Sequence, residues 1–136
     1  MPLVVLRGTV NSDQYIELLE GEFLPWFREN CDDTHTFQQD NAPAHVFRKS
    51  TAFIRSQNLR TLDWPANSPD LNPIEIICSM LKNGVEKRSP KNLAELERIA
   101  KDEWEKIPQR KIRDTVKSMS RRIEQVIERK GGKCDY

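Results

Sequence analysis

Thr34-His35-Thr36-Phe37-Gln38-Gln39-Asp40-Asn41-Ala42-Pro43-Ala44-His45 is the stretch on which the fold of this chain turns. Residues 34–38 are β-branched and aromatic in character and read as a strand. Pro43 suits the first turn of a helix, where its missing N–H costs nothing, and the pattern predicts a helix over 43–57. Asp40 then stands just past the end of a strand, and in open α/β sheets sites gather at that end. Working outward, residues 3–6 (Leu-Val-Val-Leu, closed by Gly8) and 59–63 read as two more short strands. A helix is expected over 12–28, with Tyr15, Leu19, Phe23 and Phe27 every four residues and Asn11 or Ser12 as its cap. Pro25 is expected to kink or shorten its end.

Pro65, Pro69 and Pro73 mark a loop, after which the sequence turns helical. Residues 73–87 place Ile74, Ile77, Cys78, Leu81 and Val85 on one stripe, and Ser89-Pro90 breaks the pattern. A helix at about 92–106 carries Leu93, Leu96, Ala100 and Trp104. Another at about 109–129 carries Ile112, Val116, Met119, Ile123 and Val126, and Gly131-Gly132 ends it. The order of strands and helices predicts an α/β sheet followed by a helical extension. The expected division is a core over 1–88 and a basic helical extension over 89–136.

Composition narrows the classes. The chain has 136 residues, 37% apolar and 32% charged, with a mean hydropathy of −0.72. That is polar, but the apolar residues are grouped as in a folded domain. No apolar run approaches a membrane span of about 20 residues. The run 3–6 does not read as a signal peptide, because Arg7 interrupts it. Three widely separated cysteines argue against a disulfide scaffold or a paired-cysteine zinc site. Residues 1–81 hold six Lys/Arg against eleven Asp/Glu, and residues 82–136 hold sixteen against ten. An acidic half followed by a basic one suits a nucleic-acid enzyme, and is also common in ordinary helical proteins.

Two carboxylates could carry chemistry, and each has a plainer reading. Asp40 can ligate a hard cation, or Asp40 or Asn41 can simply cap the helix that starts near Pro43. Glu75 lies three residues after Asn72, with Pro73 at the first helical position, which is capping-box spacing. It also lies on the flank of the apolar stripe, facing the edge of the core, where the helix N-terminus favours a negative charge.

Together with their neighbours the two become specific. Gln39-Asp40-Asn41-Ala42-Pro43-Ala44-His45 and the block from Trp64-Pro65 through Ser68-Pro69-Asp70-Leu71-Asn72-Pro73-Ile74-Glu75 resemble the signature blocks of the Tc branch of the mariner superfamily of DNA transposases. Thirty-four residues separate Asp40 from Glu75. The resemblance runs over nearly the whole chain, from Leu6-Arg7-Gly8 to Lys130-Gly131. It implies an incomplete ribonuclease-H-like fold, with 3–6, 34–38 and 59–63 as its third, fourth and fifth strands. Only the fourth and fifth could pair in parallel. It also implies an Asp-Asp-Glu chemistry in which two divalent ions, Mg²⁺ or Mn²⁺, serve in-line displacements at phosphorus. Asp40 matches the second acidic ligand and Glu75 the third. Asn41, Pro43 and His45 match the rest of the first block, and Trp64, Pro69, Asp70, Asn72 and Pro73 support the second. His45 has no partner at zinc-ligand spacing and is read as a packing or polar contact. The partners implied are DNA, as transposon ends and target, in the nucleus.

The chain departs from that pattern in places. Cys78 stands where the family usually has Trp, and Ser120 where it commonly has Pro. The family's first Asp has no counterpart, since Asp13, Asp32 and Asp33 stand in the wrong context. The expectation is therefore the C-terminal part of a catalytic domain, inactive alone, from a truncated or degenerate copy or from a gene whose start is not Met1. The alternative is a non-catalytic DNA- or protein-binding module. Arg110, Arg113, Lys117 and Arg121 share one face of the last helix and are candidates for phosphate contact, or else a solvated face. The apolar pattern of that helix reads either as packing on the domain or as a short homodimer seam.

Overall fold

The computed structural model describes residues 3–135. The chain forms two compact units, Leu3–Ala66 and the part from Asn67 onward.

The first unit is built on helices. Asn11 starts α1 (Ser12–Leu18) with a capping box, its side chain accepting from the amides of Asp13 and Gln14 while Gln14 reaches back to the Asn11 amide. The chain then widens into a π-helical turn, Leu19–Phe23, and continues as α2, Leu24–Asn30. Pro25 explains the widening. Its ring would clash with the carbonyl four residues back, and the Leu24 amide instead reaches the Leu19 carbonyl. Of the kink or shortening expected at Pro25, the shortening does not occur, since the helix runs on to Asn30. The helix absorbs the proline, and the extra residue in the turn brings Leu24 into the interior, where it is 3% exposed.

The expected helix over 43–57 is two helices, α3 (Pro43–Val46) and α4 (Arg48–Ser56), separated by an extended Phe47 at φ −60° and ψ 144°. Tyr15, Leu19 and Ile54 form the core, and Val10, Phe23, Phe37, Ala44, Phe53 and Leu59 pack against it. The Phe23 ring lies 4.7 Å from that of Phe37.

The α/β expectation is overturned. Among the described residues there is no strand and no sheet, so the ribonuclease-H-like architecture is not present. Of the three segments read as strands, 3–6 is irregular, with Val5 and Leu6 about two-fifths exposed. Segments 34–38 and 59–63 meet only at one parallel bridge, Phe37 with Thr61. There the Phe37 amide donates to the Arg60 carbonyl at 2.7 Å and the Leu62 amide to the Phe37 carbonyl at 3.3 Å. A strand is made by its neighbours. Two segments with only each other to bond extend no ladder, whatever their intrinsic preference.

The second unit begins with a 3₁₀ turn, Pro69–Leu71, followed by α5 (Pro73–Arg88), α6 (Leu93–Glu105), α7 (Gln109–Lys117) and α8 (Met119–Glu128). Asn72 and Asn92 cap α5 and α6 with their side chains. Ser89 ends α5 in the left-handed region, just ahead of Pro90. α5 and α6 pack closely where Gly84 faces Glu103, and a Cβ at Gly84 would lie 2.5 Å from Glu103 Oε2. Arg88 ties the same pair by bonding Asp102 and Glu103. The expected helix over 109–129 is interrupted at Ser118, whose hydroxyl turns back to the Thr115 carbonyl at 2.7 Å. The apolar stripe expected to pack does so only in part. Ile77 is buried, whereas Leu93, Val116 and Ile123 are exposed by 81%, 55% and 47%, and α6 buries Ile99, which lay outside the expected pattern.

Candidate functional site

The first signature block is held by its own short-range bonds. Asp40 Oδ1 accepts from the Ala42 amide at 3.0 Å, a turn that leads directly into Pro43 and α3. The same oxygen meets His45 Nδ1 at 2.6 Å. With Asp40 ionised, that ring nitrogen carries the proton and donates it. The His45 ring rests against Tyr15, 4.2 Å between centroids. Tyr15 in turn donates its hydroxyl to Gln39 Oε1 at 2.6 Å. Its phenol is pushed well above the ordinary value, first by burial and then by the charge of Asp40, so it is a neutral donor at any ordinary pH. Asn41 Nδ2 donates to the Trp64 carbonyl at 2.9 Å and so joins the first block to the segment that leads to the second. A cavity of about 830 Å³ opens beside this bond, walled by α4 at Thr51, Ile54 and Arg55 and by residues 59 and 61–65. The helix-cap reading of Asp40 or Asn41 does not hold, because α3 is capped at Ala42 with no side-chain bond; the Asp40 carboxylate instead organises the turn before α3 and pairs with a histidine.

The second block is held in the second unit, and by residues the sequence did not single out. Asp70, which is 5% exposed, accepts from the Cys134 amide with Oδ2 at 2.9 Å. Its carbonyl accepts from Arg122 Nη1 at 2.9 Å. Arg122, only 1% exposed, also donates through Nε to Ser118 Oγ at 2.9 Å. Asp70 is held below the usual carboxylate range, chiefly by the Cys134 amide. Burial and the adjoining Asp70 push the Cys134 thiol up. These contacts fix the loop that delivers Asn72, Pro73 and Glu75. The only hint in the sequence was the spacing of Thr115, Ser118 and Arg122, which share a helix face; a charged member of such a face reads by default as solvent-exposed. Glu75 itself is exposed in the first turn of α5, its amide donating to the Asn72 carbonyl at 3.2 Å. Partial burial of Cys78 raises its thiol, and the charge of Glu75 raises it further.

The structure therefore brings Asp40, Asn41, Pro43, His45 and Trp64 together in the first unit, and Pro69, Asp70, Asn72, Pro73 and Glu75 in the second. Arg110, Arg113, Lys117 and Arg121 are exposed on α7 and α8. The residues present do not complete a divalent-ion site. Asp40 offers one carboxylate with a histidine, a neutral phenol and an amide around it. Among the described residues no group of three His, Cys, Asp or Glu side chains is gathered to hold a metal ion. No described helix is long and apolar enough to cross a membrane.

Comparison with known proteins accounts for both blocks. The family described as DDE superfamily endonuclease matches residues 2–97. The chain is 33% identical over 135 residues to the transposable element Tcb1 transposase of Caenorhabditis briggsae, covering 99% of this chain and 50% of that protein. It is 33% identical over 133 residues to the Tc3 transposase of Caenorhabditis elegans, covering 96% of this chain and 40% of that protein. Against the Tc1 transposase of Caenorhabditis elegans the identity is 30%, over 99% of this chain and 50% of that protein. The chain thus spans half, or less, of the length of these relatives.

Proposed function

The chain belongs to the DDE superfamily endonuclease family, and from that premise we propose that it is the C-terminal part of a transposase catalytic domain. The reaction class is cleavage and joining of DNA at phosphodiesters. Asp40 and Glu75 are the second and third acidic positions. His45 and Tyr15 orient the Asp40 carboxylate, and Asp70, Arg122 and Cys134 hold the approach to Glu75. In this reading residues 1–88 belong to the catalytic core and residues 89–136 to its basic extension. Arg110, Arg113, Lys117 and Arg121 contact DNA phosphates, and the site of action is the nucleus. The observation that carries the reading is the pair of signature blocks, 34 residues apart, inside the matched region.

Two carboxylates do not make the family's triad, so these 136 residues alone are expected to be inactive. The test is incubation of the purified chain with supercoiled DNA and Mg²⁺ or Mn²⁺. No nicking is expected. Nicking that disappears in Asp40→Ala or Glu75→Ala would show that another group completes the site. Binding to DNA is expected to be weak and independent of sequence. Replacing Arg113 and Lys117 should lower the salt slope by about one unit per lost phosphate contact. Affinity that stays flat from low to high salt would reduce the basic face to a solvated surface.

A further inference from the structure

We propose that two copies of the chain pair antiparallel along α7 and α8, in a register set by their own charges. The starting point is an apolar stripe that the chain leaves open. Val116, Ile123 and Ile127 are 55%, 47% and 71% exposed. At about 100° per residue, and with the bonds from the Ser118 amide to the Asp114 carbonyl and from the Arg122 amide to the Ser118 carbonyl spanning the interruption at Ser118, the three lie near one line down the two helices. Thr115 and Arg122, on the buried face, point roughly a quarter-turn away. Three exposed apolar side chains in line on otherwise polar helices, with only the small Ser120 between the first two, make a candidate contact surface.

The charges beside the stripe say what covers it. Along its flank run Arg113 and Lys117, then Glu124 and Glu128, all exposed. This order is the reverse of what stabilises a helix from within, because α7 has no acid in its first turn and α8 no base in its last. It is, however, self-complementary when a second copy runs the other way. With the two-fold axis between residues 120 and 121, Arg113 faces Glu128 and Lys117 faces Glu124, twice each. The same register seats Val116 between Ile123 and Ile127 of the second copy. It also seats Ile123 between Val116 and Ser120 of the second copy. Ser120 stands at the crossing, where a small side chain lets the helices approach. Arg121 comes near its own copy there, and Asp135 of its own chain, whose carboxyl is lowered partly by Arg121, offsets the repulsion. Attraction, packing and the small residue at the crossing thus all require one register.

The pairing uses Arg113 and Lys117, so DNA and the second copy compete for them, and added duplex DNA should dissociate the pair. The test is sedimentation velocity of the full chain at low salt over the micromolar range, with helix content followed by circular dichroism. The parent chain should pass from 15.9 kDa to twice that mass. Two charge variants are then compared, Arg113→Glu with Lys117→Glu, and Glu124→Lys with Glu128→Lys. Each alone should dissociate about tenfold or more readily than the parent, and an equimolar mixture of the two should recover the parental affinity. Val116→Asp should remove association altogether. A chain that stays monomeric throughout, a dimer indifferent to Val116→Asp, or variants that each pair as well as their mixture would overturn the proposal.

Discussion

Arg122 is the side chain on which the second unit depends most. Its guanidinium is withdrawn from water, and its bonds to the Asp70 carbonyl and Ser118 Oγ offset part of that cost. Arg122→Ala leaves the Asp70 carbonyl and Ser118 Oγ short of a donor and should destabilise the unit by about 3 kcal/mol. Arg122→Lys should recover only part, because an ammonium cannot span both acceptors as the guanidinium fork does. Urea denaturation measures both, and equal stability of the three chains would remove Arg122 from this role. Asp70 adds a pH dependence. Its carboxyl is lowered in the folded state, so its contribution is present above the unfolded value of about 3.9 and is lost as pH falls through the folded value. Acid unfolding of the parent should therefore be steep below about pH 4. Asp70→Asn should be less stable at neutral pH and flatter in acid, and an unchanged acid limb would assign the loss to other carboxylates. Cysteine alkylation offers a third reading at this scale. Cys78 is exposed and should react in the native chain, whereas buried Cys134 should react only as the unit opens.

Elements show where local pattern was enough and where it was not. The caps at Asn11 and Asn72 were legible because a cap is settled within four residues. The blocks around Asp40 and Glu75 were legible only through their resemblance to the family's signature blocks. Breaks at Phe47 and Ser118 were not, because the periodicity on either side of them is intact. The π turn before Pro25 changes which face is buried. An uninterrupted helix would bury Phe23 and Phe27 equally with Tyr15 and Leu19, but the added residue buries Leu24 instead. Leu24→Ala should therefore cost about 3 kcal/mol, and Phe27→Ala clearly less than its larger ring would suggest. Thermal melts of the two variants compare them directly. A larger loss at Phe27 would place it, rather than Leu24, in the core. Arg122 and Cys134 stayed invisible in sequence because their partner is 52 and 64 residues away.

On the scale of the molecule, strand preference failed where it needed company. Residues 34–38 and 59–63 have the composition of strands, yet they share a single bridge because neither is offered a second neighbour. Hydrogen exchange should reflect the difference between the units. Residues 3–8, outside any helix, should exchange near the unfolded rate, and residues 74–86 within α5 should be protected. Slow exchange at 3–8 in a monomer would mean that this segment is ordered by contacts other than a helix or sheet.

The anchor between Asp70 and Cys134 also has a consequence in time. Cys134 is made 64 residues after Asp70, a delay of roughly 3–13 s at ordinary rates of translation. The caps of α5 can form as soon as that helix leaves the ribosome, but the turn that presents Glu75 is held by α8 and by the Cys134 amide, both translated later. A nascent chain thus carries Glu75 on an unsecured loop until synthesis has passed Cys134. A frameshift or stop codon just before that cysteine would leave the loop permanently in its nascent condition, with every residue of the two signature blocks unchanged.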